Sequence, residues 1–145
     1  NVTDQEYWAQ YFIEGGSFQP RPSIQKRLLA AEEGIVPEPY GKIISSLSLD
    51  DKKILDLGCG IGIYVLALQR RNCDIEGVEY STAIVEEVNK RYPELRIFCE
   101  DATRTHYQSE TIDMVLSLGV VEHVKDGPYR FLKEIRRLLK RMSRS

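Results

Sequence analysis

The chain has 145 residues, of which 42% are hydrophobic and 29% are charged, and its formal net charge is −2. This length suits one domain with a hydrophobic core, and the composition is that of a folded protein rather than a disordered one. The small net charge argues against a nucleic-acid partner bound by electrostatics alone. No apolar run approaches the roughly 18 residues of a membrane span, so no membrane association is predicted.

Three cysteines, Cys59, Cys73 and Cys99, are widely spaced and form no C-x-x-C pair. This spacing predicts neither a disulfide framework nor a zinc site, and no metal is expected. Because the sequence does not begin with a basic and then apolar leader, we expect the chain to reside in the reducing cytoplasm.

Residues 1–49 are predicted to form a helical cap ahead of the core domain. Tyr7, Trp8 and Tyr11 recur at helical spacing, and Gly15-Gly16 ends that segment. Two further amphipathic segments follow, with apolar residues at Ile24, Leu28, Leu29 and Ala31, and then at Tyr40, Ile43, Ile44 and Leu47. Aromatic stripes of this kind usually pack in a core, and the alternative is that some of these rings line a ligand site.

A glycine-rich turn, residues 56–62, follows a short apolar run and precedes an apolar-faced segment at residues 63–69. A short apolar run bounded by glycine is typical of a buried parallel strand that leads into a tight turn and a helix. Gly58, Gly60 and Gly62 permit unusual backbone angles and close approach of a ligand. Since the amides that open the next helix point over the turn, the pattern predicts a nucleotide-type site.

The glycine spacing decides against one class of nucleotide. A dinucleotide fingerprint, G-x-G-x-x-G, would place its third glycine where this chain has Ile63, whereas the third glycine here is Gly62. Asp56 stands just before the turn, where a carboxylate would repel a pyrophosphate but attract a cationic amino-acid head group. The sequence therefore disfavours a nicotinamide dinucleotide.

The turn resembles the glycine-rich loop of the class I S-adenosylmethionine-dependent methyltransferases, of the type-11, small-molecule-like kind. The resemblance implies an α/β, Rossmann-like three-layer sandwich with a mainly parallel sheet over residues 50–145. It implies S-adenosyl-L-methionine as the cofactor and S-adenosyl-L-homocysteine as its product. The residues that would then hold the methionine end of the cofactor are Asp56, Gly58, Cys59, Gly60 and Gly62.

Two later strands carry further acids at their predicted ends. Glu79 ends the strand at residues 74–79, where a carboxylate can accept hydrogen bonds from both ribose hydroxyls. The family resemblance assigns Glu79 and the following Tyr80 to the ribose. Asp101 and Ala102 follow the strand at residues 95–99, and the resemblance assigns them to the adenine, whose amino group can donate to a carboxylate.

Residues 111–119 are predicted as the fourth strand, and the run through His123 resembles the family pattern D-x-V-x-S-x-x-V-x-E-H-V. By that resemblance Ser117 and Leu118 flank the cofactor. His123 is the candidate catalytic residue, because a histidine can deprotonate or orient a substrate. The alternative for His123 is that it fixes or packs the turn. His106, in a polar loop, is predicted to be a surface residue.

The last helix is predicted over about residues 126–141, and the family resemblance covers residues 50–140. Of the family's seven strands the sequence supplies four, in the order 3-2-1-4. The edge of the fourth strand would be apolar and unpaired, which favours a homodimer through that edge or the last helix. The alternative is that the chain is a fragment of a longer protein.

The sequence thus predicts a methyltransferase that transfers the sulfonium methyl group to an unidentified acceptor, by default a small molecule. The alternative from another class is a non-catalytic or truncated cofactor-binding module that acts in protein association.

Overall fold

The computed structural model describes the backbone of residues 13–14, 17–18, 22–118 and 128–141, and the side chains of residues 22–118 and 128–141. Its helices are α1 (Pro22–Glu32), α2 (Gly41–Ser45), α3 (Ile63–Arg70), α4 (Thr82–Arg91) and α5 (Tyr129–Leu138). Its strands are β1 (Ile13–Glu14), β2 (Ser17–Phe18), β3 (Lys53–Leu57), β4 (Asp74–Glu79), β5 (Ile97–Cys99) and β6 (Met114–Leu116).

The main sheet has four parallel strands in the order β5-β4-β3-β6. The central strands β3 and β4 are buried over most of their length, as is usual for the central strands of a parallel sheet. The predicted strand order is confirmed. Because all four strands run in the same direction, the residues that end them lie along one edge of the sheet.

The two faces of the sheet are covered by different helices. On one face α1, α3 and α4 pack in a single buried cluster that includes Leu28, Leu66 and Ile84. On the other face Phe131 and Leu138 of α5 pack against Leu55 and Leu57 of β3. This gives the three-layer α/β architecture that the sequence predicted.

The structure differs from the sequence-based expectation in the first segment. Ile13–Glu14 and Ser17–Phe18 pair as a short antiparallel ladder, whereas residues 1–49 were predicted to be helical. In the sequence Gly15-Gly16 separates these two pairs, and a Gly-Gly dipeptide between strand residues is a hairpin signal as well as a helix stop. The helices predicted after Pro20 are confirmed as α1 and α2.

The fourth strand is also shorter than predicted, because its first residues bond to a different partner. Ile112 forms a parallel bridge with Leu139, and Lys140 donates from its amide to the Ile112 carbonyl at 2.9 Å. A fifth parallel segment thus begins directly after α5. The strand edge expected to be unpaired starts only beyond Ile112.

The last helix, α5, is also shorter than the predicted span of about residues 126–141. Among the described residues, no helix is long and apolar enough to cross a membrane.

Candidate functional site

The glycine turn lies at the carboxyl end of β3 and is attached to the neighbouring strand. Gly58, Gly60 and Gly62 have φ angles of 83°, 57° and 79°, in the left-handed region that favours glycine. The amides of Gly58 and Cys59 both donate to the carbonyl of Val78, at 2.8 and 2.9 Å. The turn is therefore held against the end of β4, and its open side lies beyond the sheet.

Two of these glycines have different surroundings. A Cβ on Gly62 would lie 2.6 Å from Cδ1 of Ile97, so Gly62 is required by packing as well as by its backbone angle. A Cβ on Gly60 would have no atom within 4 Å. Gly60 therefore faces open space, which is the space that a ligand approaching the turn would enter.

Cys59 directs its side chain into the protein rather than outward. Gly77, in the middle of β4, leaves room for it, because a Cβ there would lie 2.7 Å from the Cys59 sulfur. Burial raises the pKa of the Cys59 thiol well above its ordinary value. The Cys59 sulfur thus packs against the middle of β4. The sequence analysis missed Gly77, although a glycine inside a strand is a signal of such close approach.

Asp56 is a buried acid at the end of β3. Its residue is 2% exposed, and its Oδ2 atom has no hydrogen-bond partner among the described residues. Burial, and secondarily the negative charge of Glu79, raise the pKa of Asp56 to about 7. A buried carboxylate without a partner is costly, and a cationic ligand beside it would remove that cost.

Glu79, at the end of β4, connects two loops. Its Oε1 accepts from the amide of Gly60 at 3.1 Å, and its Oε2 accepts from the amide of Ser81 at 2.7 Å. The carboxylate therefore fixes both the glycine turn and the start of α4. Each carboxylate oxygen has a second lone pair, so two hydroxyl donors could still bind it. Tyr80, predicted beside it, is 60% exposed.

Asp101 lies in the loop after β5, and this loop is linked to Glu79 through the backbone. The amide of Glu100 donates to the Glu79 carbonyl at 3.2 Å. Oδ1 of Asp101 accepts from the amide and the hydroxyl of Thr103, at 2.8 and 2.7 Å, and this local turn orients the carboxylate. Ala102 is partly buried against the α5 side of the sheet.

His106 is exposed, as predicted, but it makes contacts that the sequence did not reveal. Its amide donates to Glu100 at 2.7 Å, and its ring nitrogen Nδ1 contacts the other oxygen of the same carboxylate. The ring also lies 4.1 Å from that of Tyr107 and 5.3 Å from that of Phe98, measured between centroids. His106 thus fastens the loop that carries Asp101.

Ser117 and Leu118 follow β6, next to the end of β3. The register pairs Asp56 with Leu116, so Ser117 comes one residue beyond that pair. The hydroxyl oxygen of Ser117 is buried and has no partner among the described residues. Two buried polar atoms without partners therefore stand at the ends of adjacent strands. His123, Tyr7, Trp8 and Tyr11 lie outside the described residues.

A polar cluster that the sequence analysis missed supports the far side of this loop. Glu134 of α5 is buried and accepts from the amide of Thr105 at 2.7 Å and from Nε of Arg137 at 2.6 Å. Burial raises the pKa of Glu134, but the bonds from Arg137 and Thr105 outweigh it and leave the pKa below its usual value. Arg137 also donates to the Tyr107 carbonyl at 2.7 Å. The one signal in the sequence is the i, i+3 spacing of the acid and the base.

These features define a Rossmann-like domain with a nucleotide-type site at the carboxyl edge of its sheet. A sequence profile of the family described as Methyltransferase domain matches residues 55–144, which is more than half of the chain. The chain belongs to this family, the class I S-adenosylmethionine-dependent methyltransferases.

Curated relatives agree with this family. The chain is 28% identical over 103 residues to "Ubiquinone biosynthesis O-methyltransferase" of Coxiella burnetii, a match that covers 68% of this chain and 43% of the relative. It is 37% identical over 83 residues to "Probable (S)-tetrahydroprotoberberine N-methyltransferase 2" of Papaver bracteatum, covering 53% of this chain and 23% of the relative. The chain thus spans less than half the length of these curated relatives.

Solved structures share the fold. A protein from Pyrococcus horikoshii OT3 superposes with a TM-score of 0.68 at 20% identity, over 83% of this chain and 55% of that one. "Phosphoethanolamine N-methyltransferase 1" of Haemonchus contortus superposes with a TM-score of 0.66 at 18% identity, over 95% of this chain and 29% of that one. That second structure contains S-adenosylhomocysteine.

Proposed function

We propose that the chain binds S-adenosylmethionine and provides the cofactor half of a methyltransferase that acts on a small molecule. The observation that carries this proposal is the buried Oδ2 of Asp56, which has no hydrogen-bond partner within residues 22–118 and 128–141 and which favours a cation at the glycine turn. The cofactor brings an ammonium group and a sulfonium group. The printed names of the relatives, a ubiquinone-pathway O-methyltransferase and an alkaloid N-methyltransferase, support a small-molecule acceptor.

The residues present fit the cofactor in three places. Asp56 would accept from the ammonium of the methionine moiety, and the backbone at Gly58, Cys59, Gly60 and Gly62 would approach that moiety closely. Glu79 would accept from the ribose hydroxyls with its remaining lone pairs, and the exposed ring of Tyr80 would lie beside the nucleoside. The groups proposed for the adenine and the adjoining backbone are Asp101, Ala102, Ser117 and Leu118.

When bound, the cofactor supplies a methyl group on a positively charged sulfur, which a nucleophilic atom of the acceptor can displace. The protein's part in such a reaction is to position the two reactants and exclude water. Asp56, Glu79 and the glycine turn would fix one reactant. We assign His123 the role of orienting or deprotonating the acceptor.

Two further aspects of the assembly belong to the same proposal. Residues 1–49 would act as a cap on the core formed by residues 50–145, and two copies of the chain would associate through the β6 edge or α5. The three cysteines are all free, which suits a reducing, cytoplasmic location.

Isothermal titration calorimetry with S-adenosylhomocysteine tests the proposal. We expect micromolar binding by the parent chain and a loss of about tenfold or more in Asp56→Ala and in Glu79→Ala, because each removes a charged acceptor. Asp74→Ala is the matched control, since Asp74 is an exposed acid at the opposite end of β4 from Glu79. A folded parent that binds no S-adenosylhomocysteine would refute the proposed function.

A further inference from the structure

The loop that carries Asp101 has no regular structure of its own. Residues 100–109, which we call the Asp101 loop, follow β5, and their backbone forms turns and bends rather than a helix or a strand. Asp101 itself is exposed. An exposed carboxylate in such a loop recognises one atom of a ligand well only when the loop is fixed before the ligand binds. The groups that fix this loop therefore matter for recognition.

The first part of the Asp101 loop is a tight turn. Oδ1 of Asp101 accepts from the amide and the hydroxyl of Thr103, at 2.8 and 2.7 Å. The amide of Arg104 donates to the Asp101 carbonyl at 3.0 Å. These bonds join the carboxylate and residues 101–104 into one unit. Because they lie within the loop, they do not fix that unit relative to the sheet.

The next residue, Thr105, is held by Glu134 of α5. Oε2 of Glu134 accepts from the amide and the hydroxyl of Thr105, at 2.7 and 2.8 Å. Arg137 donates to both oxygens of the same carboxylate, from Nε to Oε1 at 2.6 Å and from Nη2 to Oε2 at 2.8 Å. Glu134 is only 6% exposed, and a bidentate pair of this kind is strong and directional. Thr105 is thus bonded to a carboxylate whose own orientation is fixed.

The same arginine fixes a second point of the loop. Nη1 of Arg137 donates to the carbonyl of Tyr107 at 2.7 Å. The hydroxyl of Tyr107 in turn donates at 2.7 Å to Oε1 of Glu76, a buried residue of β4. The two attached residues, Thr105 and Tyr107, flank His106. The Asp101 loop is therefore fixed relative to both α5 and β4.

Attachment of α5 to the sheet does not need this polar cluster. Phe131 and Leu138, both fully buried, already pack the helix against Leu55 and Leu57 of β3. Buried ion pairs are often no more stabilising than apolar side chains of similar volume, whereas their hydrogen bonds fix the positions of the partners. The buried acid of α5 thus contributes more to the position of the loop than to the attachment of the helix.

We propose that Glu134, oriented by Arg137, is a positioning residue for adenine recognition: it anchors Thr105 so that Asp101 meets the amino group of the base. This inference rests on the proposed function. A base with an oxo group in place of that amino group presents an acceptor to the Asp101 carboxylate. The anchoring of the loop by α5 therefore sets the preference of the site for adenine over hypoxanthine.

Calorimetric titration with two ligands tests the inference. S-adenosylhomocysteine carries adenine, and S-inosylhomocysteine carries hypoxanthine, in which an oxo group replaces the amino group. We expect the parent to bind the adenine ligand at least about tenfold more tightly, because only its amino group donates to the Asp101 carboxylate. The ratio of the two affinities is the readout, since a general loss of stability would not change it.

Two substitutions loosen the anchor without removing Asp101. Glu134→Gln keeps the shape of the side chain but cannot accept from Thr105 and Arg137 together, and we expect it to lower the ratio about fivefold. Thr105→Val removes one of the two bonds to Glu134 and should lower the ratio about threefold. Because Thr105 is partly exposed, this second variant decides the question if Glu134→Gln does not fold. Thr105→Ser, which keeps the hydroxyl, should retain the ratio of the parent.

A double variant tests whether the effect passes through Asp101. In Asp101→Asn the carboxylate is gone, so adding Glu134→Gln should change the ratio no further. A further fall in the double variant would contradict the inference. Asp113→Asn is the matched control, because Asp113 is an acid outside the Asp101 loop that accepts from Lys140, just after α5, at 3.2 Å. It should destabilise the chain and leave the ratio unchanged.

The outcomes separate the inference from the proposed function. A ratio that Glu134→Gln and Thr105→Val leave unchanged, with both ligands weakened equally or not at all, would overturn the inference. A parent that binds both ligands equally would also overturn it, since the site would then have no preference for adenine. A parent that binds neither ligand would instead refute the proposed function.

Discussion

The carboxylate of Asp56 is nearly inaccessible to water, and its Oδ2 atom has no hydrogen-bond partner in the part of the chain that the structure describes. The substitution Asp56→Asn keeps the shape of the side chain but removes its charge. We expect this variant to be more stable than the parent at pH 8 in the absence of ligand. The same substitution should weaken binding of S-adenosylhomocysteine about tenfold or more, because it removes the charge that would face the ligand's ammonium group.

The magnitude follows from the displaced pKa. In the folded chain the pKa of Asp56 is about 7, against 3.8 for an unperturbed aspartate, a difference of about 3 units. Between these two values the folded state holds a proton that the unfolded state has lost, so the free energy of unfolding falls as pH rises. The slope is about 1.4 kcal/mol per pH unit, which sums to about 4 kcal/mol at pH 8. An asparagine has no such penalty.

Urea denaturation of the parent and of Asp56→Asn at each pH from 4 to 8 provides the measurement. The difference in unfolding free energy should be small near pH 4, should grow through pH 7 and should then level off. Contributions from groups that do not interact with Asp56 cancel between the two proteins. A variant that is less stable than the parent at pH 8, or a difference that does not depend on pH, would refute the reasoning. At the same concentration, S-adenosylhomocysteine should stabilise the parent at pH 8 more than it stabilises the variant.

Three further predictions concern other groups. Gly60→Ala should lower the unfolding free energy by about 1–2 kcal/mol, because alanine is strained in the left-handed backbone conformation, and it should also weaken cofactor binding. Gly62→Ala should destabilise the fold further, because its Cβ would overlap the side chain of Ile97 in the core. Urea denaturation measures the loss of stability, and calorimetry measures the loss of binding. Arg137→Met should lower the unfolding free energy by about 2 kcal/mol, which is less than for a fully buried ion pair because the Arg137 side chain is one-third exposed. Adding Glu134→Gln should recover part of that loss, since it removes the buried charge that Arg137→Met leaves unpaired. Asp113→Asn should destabilise the chain at pH 7, because hydrogen bonds from the Lys53 amide and then Lys140 lower the pKa of Asp113 in the folded state. The difference from the parent should close as the pH falls below the ordinary pKa of an aspartate, and thermal denaturation across this range is the check.

Most of the sheet could be predicted from the sequence because its signals are local. The strand at residues 74–79 and the helix at residues 82–91 have the predicted bounds. Ser81 caps that helix as expected, accepting from the amide of Ile84 at 3.3 Å. Each of these signals, a serine before a helix, an apolar run or a glycine turn, determines the conformation of adjacent residues only. The parallel pairing of the strands then follows from the alternation of strands and helices along the chain.

The features that the sequence did not reveal depend on residues far apart in the chain. Glu134 reads as one acid on a charged helix, yet in the fold it accepts from Thr105, 29 positions away. Cys59 belongs to the glycine-rich turn, but its sulfur packs against β4 because Gly77 has no side chain to occupy that space. The bridge between Ile112 and Leu139 likewise requires α5 to be placed first. Such contacts have no periodicity, and only the folded backbone brings them together.

The same distinction explains why the candidate site could be predicted only in part. Asp56, Glu79 and Asp101 lie at or just beyond the carboxyl ends of β3, β4 and β5, and parallel strands bring such positions to one edge of the sheet. Tyr40 and Tyr64 meet edge to face, with 6.3 Å between ring centroids, only because the fold brings the residue before α2 to the start of α3. The positions of the acids therefore follow from the sequence pattern, whereas the contacts made by the helices ahead of the core depend on the folded chain.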